Sequence, residues 1–235
     1  MDVIVNYLKG IIEELPHLLD TTKPTIFYQN GDFRISSTIV TTWIMMLLLF
    51  IFVIIITSKL ERISKTRRQA IAEKMTMFFY GFVYDVLGEK AKKVYAVLGS
   101  IFITILLMNF MWVIPTFTTP TASFSTAFAL GIVGFLYTQY VIIKEKNVFK
   151  YLKSYVEPNI FMLVGNLINI VARPLSISMR LFGNMFAGKI LDSIVMLALP
   201  LLVPVIFSVL SILVGGIQSY VFALLLTMYI SEGLE

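Results

Sequence analysis

The stretch Arg173-Pro174-Leu175-Ser176-Ile177-Ser178-Met179-Arg180-Leu181-Phe182-Gly183-Asn184-Met185-Phe186-Ala187-Gly188-Lys189 decides how the chain is read. It lies inside a long apolar run, from about Asn159 to Pro204. Charge is expensive there: an ionised side chain deep in a bilayer costs roughly 3 kcal/mol on insertion scales. Arg173 and Arg180 are seven residues apart, which on a helix puts them on one face. Asn166, Asn169, Ser176 and Asn184 fall near the same stripe, and Leu, Ile, Met and Phe fill the opposite side. A greasy helix with one narrow polar seam must turn that seam toward protein or water, not lipid.

Composition agrees. The 235 residues are 58% hydrophobic and 14% charged, with a mean hydropathy of +0.86; an ordinary soluble domain is about 25% charged. An integral membrane protein is expected. The net charge of +5 sits in segments between apolar runs and does not suggest nucleic acid. Cysteine is absent, which excludes disulfides and thiolate metal sites, and His17, the single histidine, cannot build a metal site alone. No cleavable signal peptide is expected, because the first residues carry Asp2, Glu13 and Glu14 and lack a basic leading region.

Residues 3–19 place Ile4, Leu8, Ile11, Leu15 and Leu18 at helical spacing, which predicts an amphipathic helix on the membrane surface or on another subunit. Asn30-Gly31, between aromatic and β-branched residues, predicts a small exposed β-hairpin. Three upright spans follow, at 38–58, about 94–114 and about 124–143, each long enough for a hydrocarbon core of roughly 30 Å. Residues 59–93 carry nine Lys or Arg against four Asp or Glu, and residues 144–157 carry four Lys and two Glu. Read as loops, both belong in the cytoplasm by the positive-inside rule. Residues 1–37, with three basic and five acidic side chains, then fall outside as an extracytoplasmic unit, as does the uncharged 115–125 loop. Residues 38–235 form the membrane domain.

The last third differs in scale. Residues 160–197 read as one helix kinked at Pro174, about 57 Å long at 1.5 Å per residue. Pro200 and Pro204 break the chain, and 205–231 form another long helix. Helices of this length must tilt steeply or lie nearly in the membrane plane. The expected fold is thus an all-α integral membrane protein with three upright spans and a strongly tilted helical hairpin within 158–231.

The run Arg-Pro-Leu-Ser-x-x-x-Arg-Leu-Phe-Gly-Asn-x-x-Ala-Gly at 173–188 closely resembles the signature of subunit a of the F-type ATP synthase, the membrane stator beside the rotating c-ring. Weaker resemblance runs from Thr38 onward and includes Met108-Asn109-Phe110 and Gln218. The resemblance implies that the hairpin at 158–231 is an ion channel lying along a curved rotor in a bacterial cytoplasmic membrane, and the charge bias above places the N-terminus outside and the C-terminus inside. It also implies the c-ring and peripheral-stalk subunit b as partners, with ATP chemistry carried out elsewhere. The transported ion takes the place of a cofactor. The essential arginine of the family falls on Arg180, and its glutamine beside that arginine falls on Gln218.

The residue chemistry is compatible. Arg180 stays charged at physiological pH; opposite a rotor carboxylate it favours the ionised form, and a fixed charge between two half-channels blocks direct leak. Its bland alternative is a structural arginine paired to a lipid or a local acid. Asn184, one turn on, can hydrogen-bond an ion or water. Gln218 follows Gly215-Gly216, which permit close helix approach. Arg173 either snorkels to the cytoplasmic interface or lines the path. Lys189 and Asp192, three apart, form a local pair or line the outer entrance. Asn109, Ser123, Ser125, Asn166, Ser176 and Ser211 complete the candidate lining. Gly183 to Lys189 spells G-x-x-x-x-G-K, but Ile190 follows where a phosphate loop needs Ser or Thr, and no soluble strand precedes it.

The chain departs from the family pattern. Many members have Glu where Lys189 stands, His where Ser211 stands, Asp where Ser123 stands, an acid where Trp112 stands and a carboxylate where Asn166 stands. A side-chain proton relay is thereby put in doubt. Water can still carry H⁺, and the neutral oxygens of Asn184, Ser123, Ser125 and Gln218 suit Na⁺, a hard cation, as well. The rival reading is a stand-alone secondary transporter with an intramembrane arginine as anion site; such proteins often carry internal repeats, and none is visible here.

Overall fold

The structure is a computed structural model describing residues 26–30, 33–57, 67–111, 119–146, 151, 160–198 and 203–234. The expected amphipathic helix at 3–19 lies outside the described residues, as do the Gly31-Asp32 tip and Pro200.

Strand β1 (Ile26–Asn30) pairs antiparallel with β2 (Phe33–Ser36), in a register that sets Asn30 opposite Phe33 and Gln29 opposite Arg34. β2 runs straight into α1 (Ser37–Thr57). Ser36 Oγ accepts the Thr38 N–H at 3.3 Å, satisfying one free donor at the helix start. Thr41 and Thr42 donate their hydroxyls to the carbonyls of Ser37 and Thr38, so these two polar side chains of an apolar helix are satisfied within it. Most of its large side chains, among them Trp43, Phe50 and Ile54, are exposed, as on a helix surrounded by lipid.

The segment 59–93, read from its charges as a loop, is corrected by the structure: α2 occupies Arg67–Leu87. The charges bracket an apolar stretch, Met75–Leu87, in which Asp85 is the only charge. Gly88, with φ of +58°, ends α2 in a conformation that suits glycine, and a short 3₁₀ turn, Gly88–Lys90, leads into α3 (Ala91–Phe110). The two helices fold back on each other through aromatic pairs: Phe79 with Phe102 at 4.5 Å and Tyr80 with Tyr95 at 5.4 Å between ring centroids.

A second short 3₁₀ turn, Pro120–Ala122, precedes α4 (Phe124–Lys146). Two long helices complete the chain, α5 (Ile160–Ala198) and α6 (Val203–Leu234). Pro174 lies inside α5 without ending it. Pro204 lies in the first turn of α6, where a missing N–H breaks no helical bond. Among the described residues, four helical stretches are long and apolar enough to cross a membrane: Ser37–Ile55, Gln69–Phe110, Phe124–Lys146 and Ile206–Leu234.

Helix α4 positions the hairpin. Its buried residues Ala127, Gly131, Gly134 and Thr138 recur at helical spacing and form a small-residue stripe. A methyl group on Gly131 would overlap Ser178 Oγ of α5 and lie 3.0 Å from the Pro174 carbonyl. One on Gly134 would lie 2.9 Å from Leu226 of α6. In lipid, helices associate through such close fit and not through exclusion of water. The core unites Leu98 and Ile105 of α3, Ala127 of α4, Ile177 and Leu181 of α5, and Phe222 and Leu226 of α6.

Candidate functional site

The packing of α5 on α4 and α6 buries Pro174, Ile177, Ser178, Leu181 and Met185. Ser178 donates its hydroxyl to the Pro174 carbonyl at 2.6 Å, so this buried hydroxyl is satisfied within α5. The opposite face therefore stays exposed: Ala172, Ser176, Arg180, Asn184, Ala187 and Leu191 recur every three to four residues along it. Arg180 stands at the middle of this stripe, flanked by short side chains. Among the described residues no carboxylate pairs with it, and its guanidinium makes no hydrogen bond there.

Asn184 and Gln218 are brought together. Asn184 Nδ2 donates to Gln218 Oε1 at 2.8 Å, joining α5 to α6 one turn from Arg180. Gln218 is buried and Asn184 exposed, so the bond leads from the hairpin interior to the Arg180 stripe. From Asn184 a cavity of about 310 Å³ opens between α5 and α6, lined also by Met185, Ala187, Gly188, Leu191, Phe207, Leu210, Ser211 and Val214. Asn184 and Ser211 supply its polar groups.

The remaining candidates lie in different surroundings. Arg173 Nη2 pairs with Glu232 Oε2 at 2.7 Å, and its guanidinium lies 4.7 Å from the Tyr229 ring centroid, so Arg173 ties α5 to the end of α6. Asn109 is buried among Gly215, Ser219 and Thr121. Ser123 precedes α4, with its carbonyl accepting the Ala127 N–H at 3.1 Å, and Ser125 is exposed in the first turn. Ser176 shares the Arg180 stripe; Asn166 and Lys189 are half-buried on α5. Asp192 is half-buried as well, with Oδ1 enclosed and accepting no hydrogen bond among the described residues. Among the described residues no three His, Asp or Glu side chains gather as a metal site would need.

Glu232, Tyr229, Thr121 and Ser219 carry contacts that sequence reading missed. Glu232 had a faint signal: an acid in the last turn of a helix opposes the helix dipole and calls for a cationic partner. The other three had none, since nothing local distinguishes a buried Thr or Ser, or a Tyr that faces a cation from one that faces lipid.

The comparisons with known proteins bear on the whole membrane domain. The family model described as "ATP synthase A chain" matches residues 39–231. ATP synthase subunit a of Moorella thermoacetica is 32% identical over 210 residues, covering 89% of this chain and 96% of that protein. The subunit a of Albidiferax ferrireducens is 34% identical over 207 residues, covering 88% and 90%. Subunit a 2 of a Picosynechococcus species is 36% identical over 208 residues, covering 88% and 89%. With a signature helix that carries an exposed arginine, unpaired among the described residues, and with relatives matching across nearly their full lengths, the chain belongs to the family of subunit a of the F-type ATP synthase.

Proposed function

We propose that this chain is the stator ion channel of a rotary ATP synthase, with Arg180 as its fixed charge and Asn184 and Gln218 on the ion path. The observation that carries the reading is Arg180 itself. A guanidinium on an apolar helix, exposed among short side chains and without an acid partner among the described residues, is costly unless another protein brings a carboxylate to it. A rotor c-ring does so repeatedly. At about 4 Å and an effective dielectric of about 20, the attraction is about 4 kcal/mol, roughly a thousandfold in favour of the ionised carboxylate. An ion-loaded carboxylate approaching Arg180 releases its ion on one side and reloads on the other. The charge also separates the two half-channels.

The drive is the membrane potential, about 2.3 kcal/mol per charge per 100 mV. The 39 residues of α5 are about 58 Å long at 1.5 Å per residue, which supports a strongly tilted hairpin following a curved ring. The cavity between Asn184 and Ser211 suits the outer half-channel, with Ser123, Ser125, Asn166, Lys189 and Asp192 as further lining and Ser176 beside the arginine. The transported ion is H⁺ or Na⁺. The apolar part of α2, Met75–Leu87, is too short to span the bilayer, so the basic residues on both sides of it and those of 144–157 support an inside C-terminus, an extracytoplasmic unit at 1–37 and a bacterial cytoplasmic membrane location. Peripheral-stalk subunit b is the stationary partner. The chain holds no site for ATP chemistry in this reading and is not itself the enzyme.

Mild-detergent purification of a tagged chain tests the assignment. A ring of small hairpin proteins and a stalk should copurify with it. Recovery of a chain that transports an anion when reconstituted alone would replace this reading by that of a stand-alone transporter.

A further inference from the structure

We infer that Asn109 is a positioning residue for the ion path: it holds the Gly215–Ser219 turn of α6 in the rotation that lets Gln218 reach Asn184. The inference rests on the role given above to Asn184 and Gln218. Asn109 is 2% exposed and its amide is fully engaged. Nδ2 donates to the Gly215 carbonyl at 2.9 Å and to Ser219 Oγ at 3.2 Å, while Oδ1 accepts the Thr121 hydroxyl at 2.7 Å. Ser219 Oγ in turn donates to the Gly215 carbonyl at 2.8 Å. Thr121 and Ser219 are completely buried. One amide thus ties together α3, α6 and the short turn before α4.

Nothing in this arrangement is aimed at a channel. The Asn109 groups that could solvate an ion are spent on protein partners, and removing one partner would strand the others without water. What the joint controls is α6. Gln218 adjoins Ser219 and lies one turn from Gly215, so rotation of this segment would carry Oε1 away from Asn184 Nδ2, now 2.8 Å off. The space is also fixed from the other side. A methyl group on Gly215 would lie 3.0 Å from both Asn109 Cβ and Met185 Cε, the latter from the neighbour of Asn184. Asn109, Gly215 and Met185 therefore set the spacing of three helices at the level of the Asn184–Gln218 bond.

The test is a double-mutant cycle in inverted vesicles, with ATP-driven pumping expressed per assembled complex. Asn109→Ala and Gln218→Leu should each slow pumping about tenfold, less than the roughly hundredfold that a misplacement of about 1 Å can cost. If Asn109 acts through Gln218, the combined variant is no slower than Gln218→Leu alone; a product of the two losses, about a hundredfold, overturns the inference. Where Asn109→Ala does not assemble, Thr121→Val carries the same cycle, and wild-type pumping in that variant also overturns it. Wild-type pumping in Gln218→Leu alone refutes the role of Gln218, and the inference with it.

Discussion

Gly131→Ala should dislodge α5 from α4 without touching any polar group of the ion path. The added methyl would overlap Ser178 Oγ and sit 3.0 Å from the Pro174 carbonyl and 3.3 Å from Ser178 Cβ. The hydroxyl is not free to swing, because it donates to that carbonyl at 2.6 Å. Overpacking of this kind costs about 1–3 kcal/mol, against a helix-propensity gain of about 1 kcal/mol for Gly→Ala. The net loss of up to about 2 kcal/mol is roughly a thirtyfold shift away from the native fit. Two variants frame the measurement. Gly81→Ala meets nothing within 4 Å and serves as a neutral control. Adding Ser178→Ala to Gly131→Ala removes the overlapping oxygen and should recover part of the loss. The assay is the amount of chain in the purified complex and the ATP-driven pumping rate of that complex. Wild-type assembly and pumping in Gly131→Ala would refute the claim that the small-residue stripe of α4 sets the position of α5.

Four other substitutions address the site and the α5–α6 tie beside it. Gln218→Leu should slow rotation-coupled transport without abolishing it, since a neutral amide orients Asn184, Arg180 or water; complete loss in an assembled complex would contradict this. Lys189→Gln should leave vesicle pumping near normal, since water and neutral oxygens carry the ion past it, whereas a large loss with a shifted pH optimum would make Lys189 part of a side-chain relay. Glu232→Gln should weaken the α5–α6 tie by up to about 1 kcal/mol, the scale of an exposed ion pair. Arg173→Ala should cost about a further 0.5–1 kcal/mol through the lost Tyr229 contact. Both are read as urea or heat sensitivity of the complex, and equal sensitivity of the two variants would deny Tyr229 a share.

The long helices were legible because their signals are local. Arg173 and Arg180 seven apart in an apolar run mark one polar face, and length alone separates α5 and α6 from ordinary spans. Helix α2 was obscured because Lys and Arg on both sides of Met75–Leu87 dominate any charge count over 59–93. What the sequence could not disclose is which distant groups meet. The Arg173–Glu232 pair joins positions 59 residues apart, and the Asn109–Gly215 bond joins positions 106 apart. Both depend on the rotation of α6, which is fixed by packing at Gly134 and Gly215 and not by any pattern within α6. Asn109 illustrates the limit: as a lone amide in an apolar helix it reads equally well as channel lining, and its burial shows it engaged with α6 instead.

The central claim is that Arg180 is the charge that unloads the rotor. Arg180→Ala in vesicles carrying the whole complex, followed with a ΔpH dye, a potential dye and ²²Na⁺ uptake, tests it most directly. The account predicts an assembled complex with no ATP synthesis, no ATP-driven pumping and a passive leak, and poor rescue by Arg180→Lys, whose ammonium can lose its proton when desolvated. Inhibitor-sensitive pumping at the wild-type rate in Arg180→Ala would contradict it.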